Sequence, residues 1–270
     1  MSRPPLVEVA PAKLNLALHV RGRRADGRHD LETIFAFCTD GDKLTALESD
    51  DLSLTITGPF AAMLDDGPGN LVHRAASALA AEARVGKGVA LTLEKNLPVA
   101  SGIGGGSADA GAALRLLTRF WGTDPALAQR LAPELGSDVP ACLLSMTARG
   151  TGAGDALELV DAGVADTPVL LVNPMLPLST RDVFAGWDGV DRGPLGDWRE
   201  GRNDLEAPAR RLVPAIGEVL DWFEEQDGVD LARMSGSGAT CFALFETEDA
   251  RDAAAAACPE EWWQMASFVR

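Results

Sequence analysis

A run of glycines directly ahead of an alanine- and leucine-rich segment constrains this chain more than any other feature. The segment reads PVASGIGGGSADAGAALRLL and begins at Pro98. Glycine lets a backbone approach a ligand closely, and the N–H groups at a helix N-terminus attract anions. Residues 108–120 lack proline and favour a helix by propensity, so the glycines should end where that helix begins. The segment predicts a phosphate-binding loop, with an ordinary glycine-rich turn as the alternative.

Two common nucleotide-binding sequences do not describe this loop. It lacks the Gly-Lys-Ser/Thr of a Walker P-loop. It resembles a loose G-x-G dinucleotide fingerprint, but the acidic residue required about 20 positions later lies in an unsuitable context.

Hydrophobic patterning predicts a mixed arrangement of strands and helices without regular βαβ alternation. Asp26-Gly27 predicts a tight turn between the first two strands. A stretch rich in Gly, Ala and Asp at 150–166, followed by a buried strand and a Pro/Gly-rich segment to about residue 201, suggests a division into domains at residues 1–160 and 161–270. The predicted strands are 6–20, 31–38, 52–57, 89–94, VLLVNP, 231–234 and CFALF, and the predicted helices are one capped by Asn70, 108–120, those around 205–226 and one from Glu248.

Composition narrows the possible partners. The 270 residues carry a formal net charge of −16, which repels nucleic acid and anionic membrane surfaces. The sequence has no signal peptide pattern and no apolar run of about 18 residues, as a membrane span requires. We therefore expect a cytoplasmic protein that binds neither nucleic acid nor membrane and is a monomer or weak homodimer.

Two further segments carry candidate catalytic side chains. Asp138 lies in GSDVPACLL, where it is either a partly buried acid beside a loop or a helix N-cap. Lys13 and Asn15 in PAKLNL are two apart on a predicted strand and share one face, which could equally be the solvent face. An acid, a lysine and a phosphate loop are together the parts that phosphoryl transfer needs.

These segments carry a resemblance to a known family. PAKLNL, PVASGIGGGSADA and SGSGATCFALF resemble the three motifs of the GHMP kinases, in the same order across nearly the whole chain. The resemblance implies an α+β fold with a ribosomal-S5-domain-2-like N-terminal lobe and a ferredoxin-like C-terminal lobe, with ATP and substrate bound between them. It also implies that the third motif, Ser235 to Thr240, packs beneath the glycine loop rather than forming a simple hairpin turn.

The N-terminal segment APAKLNLALHVRGRRADGRHDLETIFAFCTDGD is similar to one branch of that family. This implies transfer of the ATP γ-phosphate to the 2-hydroxyl of a cytidine diphosphate-linked methylerythritol, a step of non-mevalonate isoprenoid synthesis. By the same resemblance, Asp138 is the general base, Lys13 assists it and Asn15 orients the substrate.

The resemblance also implies binding residues. His29, Phe35 and Phe184 would hold the cytosine end and Thr180 would lie near the diphosphate. Arg28 stands where the family usually has a tyrosine that stacks on cytosine, and this chain contains no tyrosine. A guanidinium plane can stack on a base, so Arg28 is expected to contact the substrate. ATP, accompanied by Mg²⁺ with unassigned ligands, would contact Asn70, Lys95, Pro98, Val99, Ala100, Ser101, Gly102, Ile103, Gly104, Gly105, Gly106 and Ser107.

Two alternatives remain at this point. One is a GHMP kinase that phosphorylates mevalonate, homoserine or a sugar, which would not need to recognise cytidine. The other is a nucleotide-binding regulator without catalysis, although binding alone would not require the acid at Asp138.

Overall fold

The computed structural model describes residues 4–270, which form two compact units. Unit 1 contains the described residues up to Ala12, then Asp40–Val99 and Gly104–Ser145. Unit 2 contains Lys13–Thr39, Ala100–Ile103 and Met146–Arg270. The units therefore interleave along the chain, and the boundary near residue 160 stays a prediction of the sequence.

Unit 1 contains a parallel strand pair joined by a helix. Strands β3 (Leu52–Thr57) and β4 (Gly88–Glu94) are parallel, and the second half of β2 (His29–Ser49) pairs antiparallel with β4. Parallel neighbours need a crossover, which here contains a short 3₁₀ turn at Ala61–Met63 and helix α1 (Leu71–Glu82).

Three more helices complete unit 1. They are α2 (Gly105–Trp121), α3 (Pro125–Leu135) and α4 (Val139–Leu144). Helix α2 starts at Gly105, so the prediction that it begins after the glycines was wrong. Gly104 precedes it with φ of 72°, a left-handed conformation that glycine adopts without steric cost. The core of the unit is formed by apolar side chains from the strands and helices, including Leu79, Leu91, Leu93, Leu114 and Leu117.

The first sheet of unit 2 begins with a hairpin. β1 (Leu6–Arg23) pairs with β2, and the predicted turn between them is closed by a hydrogen bond from the Arg24 N–H to the Arg28 carbonyl. Strand β5 (Ala148–Gly152) adds to β2 and β6 (Ala156–Leu159) adds to β5, both antiparallel. This hairpin places Lys13, Asn15 and His29 in the same unit.

The second sheet of unit 2 has the strand order β10-β7-β9-β8, with all neighbours antiparallel. This is the ferredoxin-like order that the resemblance implied. The helices expected around 205–226 are two, interrupted at Pro214, since proline has no N–H for a continuing helix. The strands are β7 (Pro168–Asn173), β8 (Val229–Met234), β9 (Cys241–Phe245) and β10 (Trp263–Phe268), and the helices are α5 (Thr180–Ala185), α6 (Glu206–Leu212), α7 (Ala215–Glu224) and α8 (Glu248–Ala257).

None of the helices within residues 4–270 combines the length and the apolar composition that crossing a bilayer requires.

Candidate active site

Lys13 and Asn15 form a buried polar pair on β1. Lys13 is 3% exposed and Asn15 is 2% exposed, so the alternative that they belong to a solvent face was wrong. The Lys13 ammonium donates to the Asn15 Oδ1 over 2.9 Å and lies 4.8 Å from the centroid of the Phe35 ring. Burying an ammonium is costly unless it is hydrogen-bonded, so this placement indicates a specific role for Lys13.

A chain of hydrogen bonds fixes the Asn15 side chain. Its amide Nδ2 donates to the Thr33 hydroxyl over 2.8 Å, and that hydroxyl donates to the Ala17 carbonyl over 2.7 Å. The Asn15 backbone N–H donates to the Ser235 hydroxyl over 3.2 Å. The amide is thus held with its oxygen towards Lys13. Sequence reasoning did not identify Thr33, which carries no motif of its own.

The third motif packs against part of the glycine loop, as the resemblance implied. The Ser235 hydroxyl donates to the Gly102 carbonyl over 3.2 Å, and the Thr240 N–H donates to the Ser101 carbonyl over 3.1 Å. A Cβ at Gly102 would lie 2.6 Å from the carbonyl oxygens of Ser235 and Gly238, and its φ is 79°. Only glycine fits that position. The expected packing is therefore confirmed at Ser101 and Gly102.

Asn203, which the sequence gave no reason to select, anchors the same motif. Its Nδ2 donates to the carbonyls of Met234 and Gly236 over 2.7 and 2.8 Å. Its Oδ1 accepts from the Leu205 N–H over 2.9 Å. The turn after β8 is thereby fixed by a buried side chain.

The rings of His29, Phe184 and Trp187 in unit 2 form a cluster. The His29 ring stacks on Phe184 of α5 with centroids 4.8 Å apart, and Trp187 meets it edge-on at 5.7 Å. The His29 Nε2 and the Trp187 Nε1 are buried and have no hydrogen-bond partner among residues 4–270. Burial and the nearby Arg23 charge lower the pKa of His29, so its ring is neutral at pH 7. The sequence analysis missed Trp187, although it lies three positions after Phe184.

The other predicted substrate residues of unit 2 lie in different surroundings. Phe35 is buried against Lys13, and its contact with cytosine stays a prediction. Arg28 is exposed and its Nη2 pairs with the Asp26 Oδ2 over 3.0 Å, so its stacking on a base also stays a prediction. The Thr180 hydroxyl lies 2.8 Å from the Ser237 hydroxyl of the third motif.

Asp138 lies in unit 1, half-buried and directly before α4. Asp138 is the N-cap residue of that helix, as the alternative expected, but its side chain makes no capping hydrogen bond to it. Its role as a base and its partnership with Lys13 stay predictions.

Asn70 does cap its helix. It accepts from the Val72 N–H over 2.9 Å and donates to the Asp65 carbonyl over 2.8 Å. Lys95, which follows β4, is 1% exposed and its ammonium bonds to Asp42 and Asp109. Contacts of Asn70 and Lys95 with ATP stay predictions.

The glycine loop supplies a helix N-terminus in unit 1. Gly105, Gly106 and Ser107 form the first turn of α2, whose N–H groups have no partner within the helix. Gly106 is exposed, and a Cβ there would lie 3.5 Å from its nearest neighbour, Leu71. These amides suit a bound anion. Pro98 and Val99 precede the loop in unit 1, whereas Ala100–Ile103 belong to unit 2.

No group of three or more His, Cys, Asp or Glu side chains within residues 4–270 is arranged to hold a metal ion. The metal ligands therefore stay unassigned.

Comparison with known proteins identifies the family. Residues 70–146 match the GHMP kinases N terminal domain and residues 190–263 match the GHMP kinases C terminal domain. A protein of Novosphingobium aromaticivorans named 4-diphosphocytidyl-2-C-methyl-D-erythritol kinase is 53% identical over 98% of this chain and 93% of its own length. A protein of Rhizorhabdus wittichii with the same name is 54% identical over 97% of this chain and 94% of its own length.

Solved structures agree with this. A crystal structure of 4-(cytidine 5'-diphospho)-2C-methyl-D-erythritol kinase is 33% identical, with a TM-score of 0.85, over 98% of this chain and 99% of that one. The homoserine kinase of Cytophaga hutchinsonii has a TM-score of 0.74 at 17% identity over 99% of this chain and 95% of that one, a likeness of fold alone. The family and the two-domain fold expected from the sequence are confirmed. This chain belongs to the GHMP kinases and, within them, to the 4-diphosphocytidyl-2-C-methyl-D-erythritol kinase family.

Proposed function

We propose that this enzyme transfers the γ-phosphoryl group of ATP to the 2-hydroxyl of 4-diphosphocytidyl-2-C-methyl-D-erythritol. The observation that carries the proposal is the 53% identity, over nearly the full chain, to a relative named for that substrate. The ring cluster around His29 supports it, because stacked rings and two unpartnered buried nitrogen atoms suit a nucleobase.

The proposed chemistry depends mainly on positioning and charge. Phosphoryl transfer passes through a loose transition state, so the enzyme has to align the hydroxyl and stabilise the charge on the phosphate oxygens. Asp138 would accept the hydroxyl proton, which contributes about 10²- to 10⁴-fold to the rate. Lys13, oriented by Asn15 and Phe35, would supply positive charge at the reacting oxygen.

The first turn of α2 would hold the phosphates of ATP. Its N–H groups offer donors without an intrahelical partner, and the positive end of the helix dipole favours anions. Mg²⁺ bound with ATP would neutralise charge on the phosphate oxygens, and such ions need few protein ligands. The N–H groups of Gly105, Gly106 and Ser107 would donate to the phosphate oxygens.

Cytosine would be recognised at the ring cluster. Phe184 offers a stacking surface, and the neutral His29 ring keeps one nitrogen that has no partner among residues 4–270. Thr180 and Ser237, whose hydroxyls lie 2.8 Å apart, would bind the diphosphate.

The direct test is ADP release from ATP and Mg²⁺ with the cytidyl substrate, beside mevalonate, homoserine and galactose. We expect turnover with the cytidyl substrate alone. Turnover with another acceptor would support kinase activity but reject the cytidyl compound as the substrate. If no ADP is released with any of the four acceptors, the alternative of a nucleotide-binding regulator without catalysis would be favoured.

Asp138→Asn tests the base. We expect turnover to fall by at least about 10²-fold while the dissociation constant for ATP stays within about threefold, because the change removes the base and leaves the phosphate loop intact. Rates come from the ADP assay and ATP affinity from calorimetry. Equal loss of binding and turnover would make Asp138 a structural residue instead.

A further inference from the structure

Unit 1 contains a buried ionic network that the proposed chemistry does not use. It consists of Lys95, Asp42 and Asp109, which are 1%, 0% and 2% exposed. The Lys95 ammonium forms ion pairs with Asp42 and, over 2.8 Å, with Asp109. Taking an ammonium and two carboxyl groups out of water is expensive, and an apolar core of the same volume is often at least as stable. A network of this kind therefore calls for a reason other than stability.

Each member of the network holds a different part of the chain next to the glycine loop. Asp42, on β2, accepts the backbone N–H groups of Asn96 and Leu97 over 2.6 and 2.8 Å. Those residues lead directly into Pro98, where the loop begins. Asp109 lies in the second turn of α2, which follows the loop. Lys95 joins the two carboxylates and so connects the segments on either side of the loop.

The ammonium also lies directly against the start of α2. A Cβ built on Gly105 would lie 3.2 Å from the Lys95 Nζ and 3.7 Å from the Pro98 carbonyl oxygen. The first residue of the helix therefore lies against Lys95, and even a methyl group there would be in tight contact with the ammonium.

The polar groups of Lys95 are already engaged within unit 1. Its N–H donates to the Thr57 carbonyl over 2.8 Å, and its own carbonyl accepts from the Phe60 N–H over 3.3 Å. Its ammonium bonds to two carboxylates and the residue is only 1% exposed, so Lys95 has little surface on which a nucleotide could bind. An effect of Lys95 on ATP would thus be indirect.

We propose that Lys95 is a positioning residue, which ties together the two ends of the glycine loop and so sets the first turn of α2 for the phosphates of ATP. This inference rests on the proposed function, since it needs that turn to hold ATP. It assigns Lys95 a role different from direct contact with adenine or ribose.

The network also makes ATP binding sensitive to pH. Burial and the neighbouring Asp42 carboxylate raise the pKa of Asp109 to about 8, and Lys95 opposes that rise. Burial alone would lower the pKa of Lys95, but Asp109 and Asp42 outweigh it and raise that pKa. Lys95 and Asp42 are the charged groups that act on Asp109. As the pH rises through about 8, Asp109 loses its proton and the network gains negative charge, which opposes a polyphosphate bound at the first turn of α2.

The test measures binding of a non-hydrolysable ATP analogue with Mg²⁺ by calorimetry. We expect Lys95→Met to weaken binding at least about tenfold, the scale of one mispositioned or lost charge interaction. Lys43→Met is the matched control, because Lys43 neighbours Asp42 in sequence but its side chain is exposed. It should bind within about twofold of the wild type, since a screened surface charge contributes little.

Asp109→Asn keeps the Lys95–Asp42 ion pair but removes the Asp109 carboxyl, so that position no longer titrates. We expect the wild type to lose several-fold more affinity than this variant between pH 7 and pH 9. A purely structural network would lower the stability of the variants without changing either binding result.

Wild-type affinity in a folded Lys95→Met variant would overturn the proposal. Should that variant not fold, an identical pH dependence of binding in Asp109→Asn and the wild type would overturn it instead. Failure of the wild type itself to bind the analogue would count against the proposed function, and so the two failures are distinguishable.

Discussion

At the scale of single residues, the site depends on side chains whose neighbours fix them. Phe184 stacks on His29, whose ring is neutral and has an unpartnered nitrogen. Phe35, by contrast, is covered by Lys13 and Gly150. Phe184 is half-buried whereas Phe35 is 2% exposed, so Phe184 is the residue at which the proposed base recognition is best tested.

Phe184→Ala should raise the KM for the cytidyl substrate about tenfold and leave the KM for ATP within about twofold, because stacking on a base contributes about 1–3 kcal/mol. Phe268→Ala is the control, since Phe268 lies in the same unit but packs on Arg251 at 4.7 Å. The measurement is steady-state kinetics with each substrate varied. An unchanged KM for the cytidyl substrate would reject this base pocket.

At the scale of elements, close packing of α2 on α4 depends on one glycine. A Cβ at Gly111 would lie 2.7 Å from the Cys142 carbonyl carbon and 2.8 Å from the Leu143 nitrogen. Alanine favours a helix over glycine by about 1 kcal/mol, but these contacts are with backbone that has to move. The steric cost of the alanine methyl group should therefore exceed the free energy that its higher helix propensity contributes.

We expect Gly111→Ala to lower the free energy of unfolding by about 1–3 kcal/mol, the usual cost of overpacking. Gly106→Ala in the same helix is the control, because its Cβ would have ordinary contact with Leu71 at 3.5 Å. Urea denaturation of both variants measures the difference. A Gly111→Ala protein more stable than the wild type would show that α4 can move freely.

At the scale of the whole molecule, titrating groups should make stability depend on pH. Burial lowers the pKa of His19 and of His29, so the unfolded chain binds more protons and stability falls as the pH drops below 6.5. The pKa of Asp109 is raised to about 8, so the folded state holds its proton longer and stability falls as the pH rises towards 8.

Urea denaturation at intervals from pH 5 to pH 9 measures this profile. His19→Asn should flatten the acid side, because the neutral His19 ring accepts the Arg202 N–H through Nε2 over 3.3 Å and protonation removes that bond. Asp109→Asn should flatten the alkaline side. A profile that is level from pH 5 to pH 9 would contradict both assignments.

Local sequence was informative where the signal itself is local. Periodicity and turn residues located β3 at 52–57, β9 at 241–245 and the helix capped by Asn70, because alternation and capping act within a few residues. The start of α2 was missed because glycine is tolerated in a first turn, where propensity is a weak guide. Three motifs in a fixed order were sufficient to indicate the family.

The sequence alone thus determined the element types, the glycine loop and the membership of the GHMP kinases, since these depend on neighbouring residues or on motifs. Only the tertiary structure decided which side chains are buried and with what partners. Lys13 alternates with leucines like a surface residue, yet it is buried beside Asn15 and Phe35. Lys95 meets carboxylates 53 and 14 positions away. Such contacts depend on how distant segments pack, and no local pattern of residues encodes the distance between them.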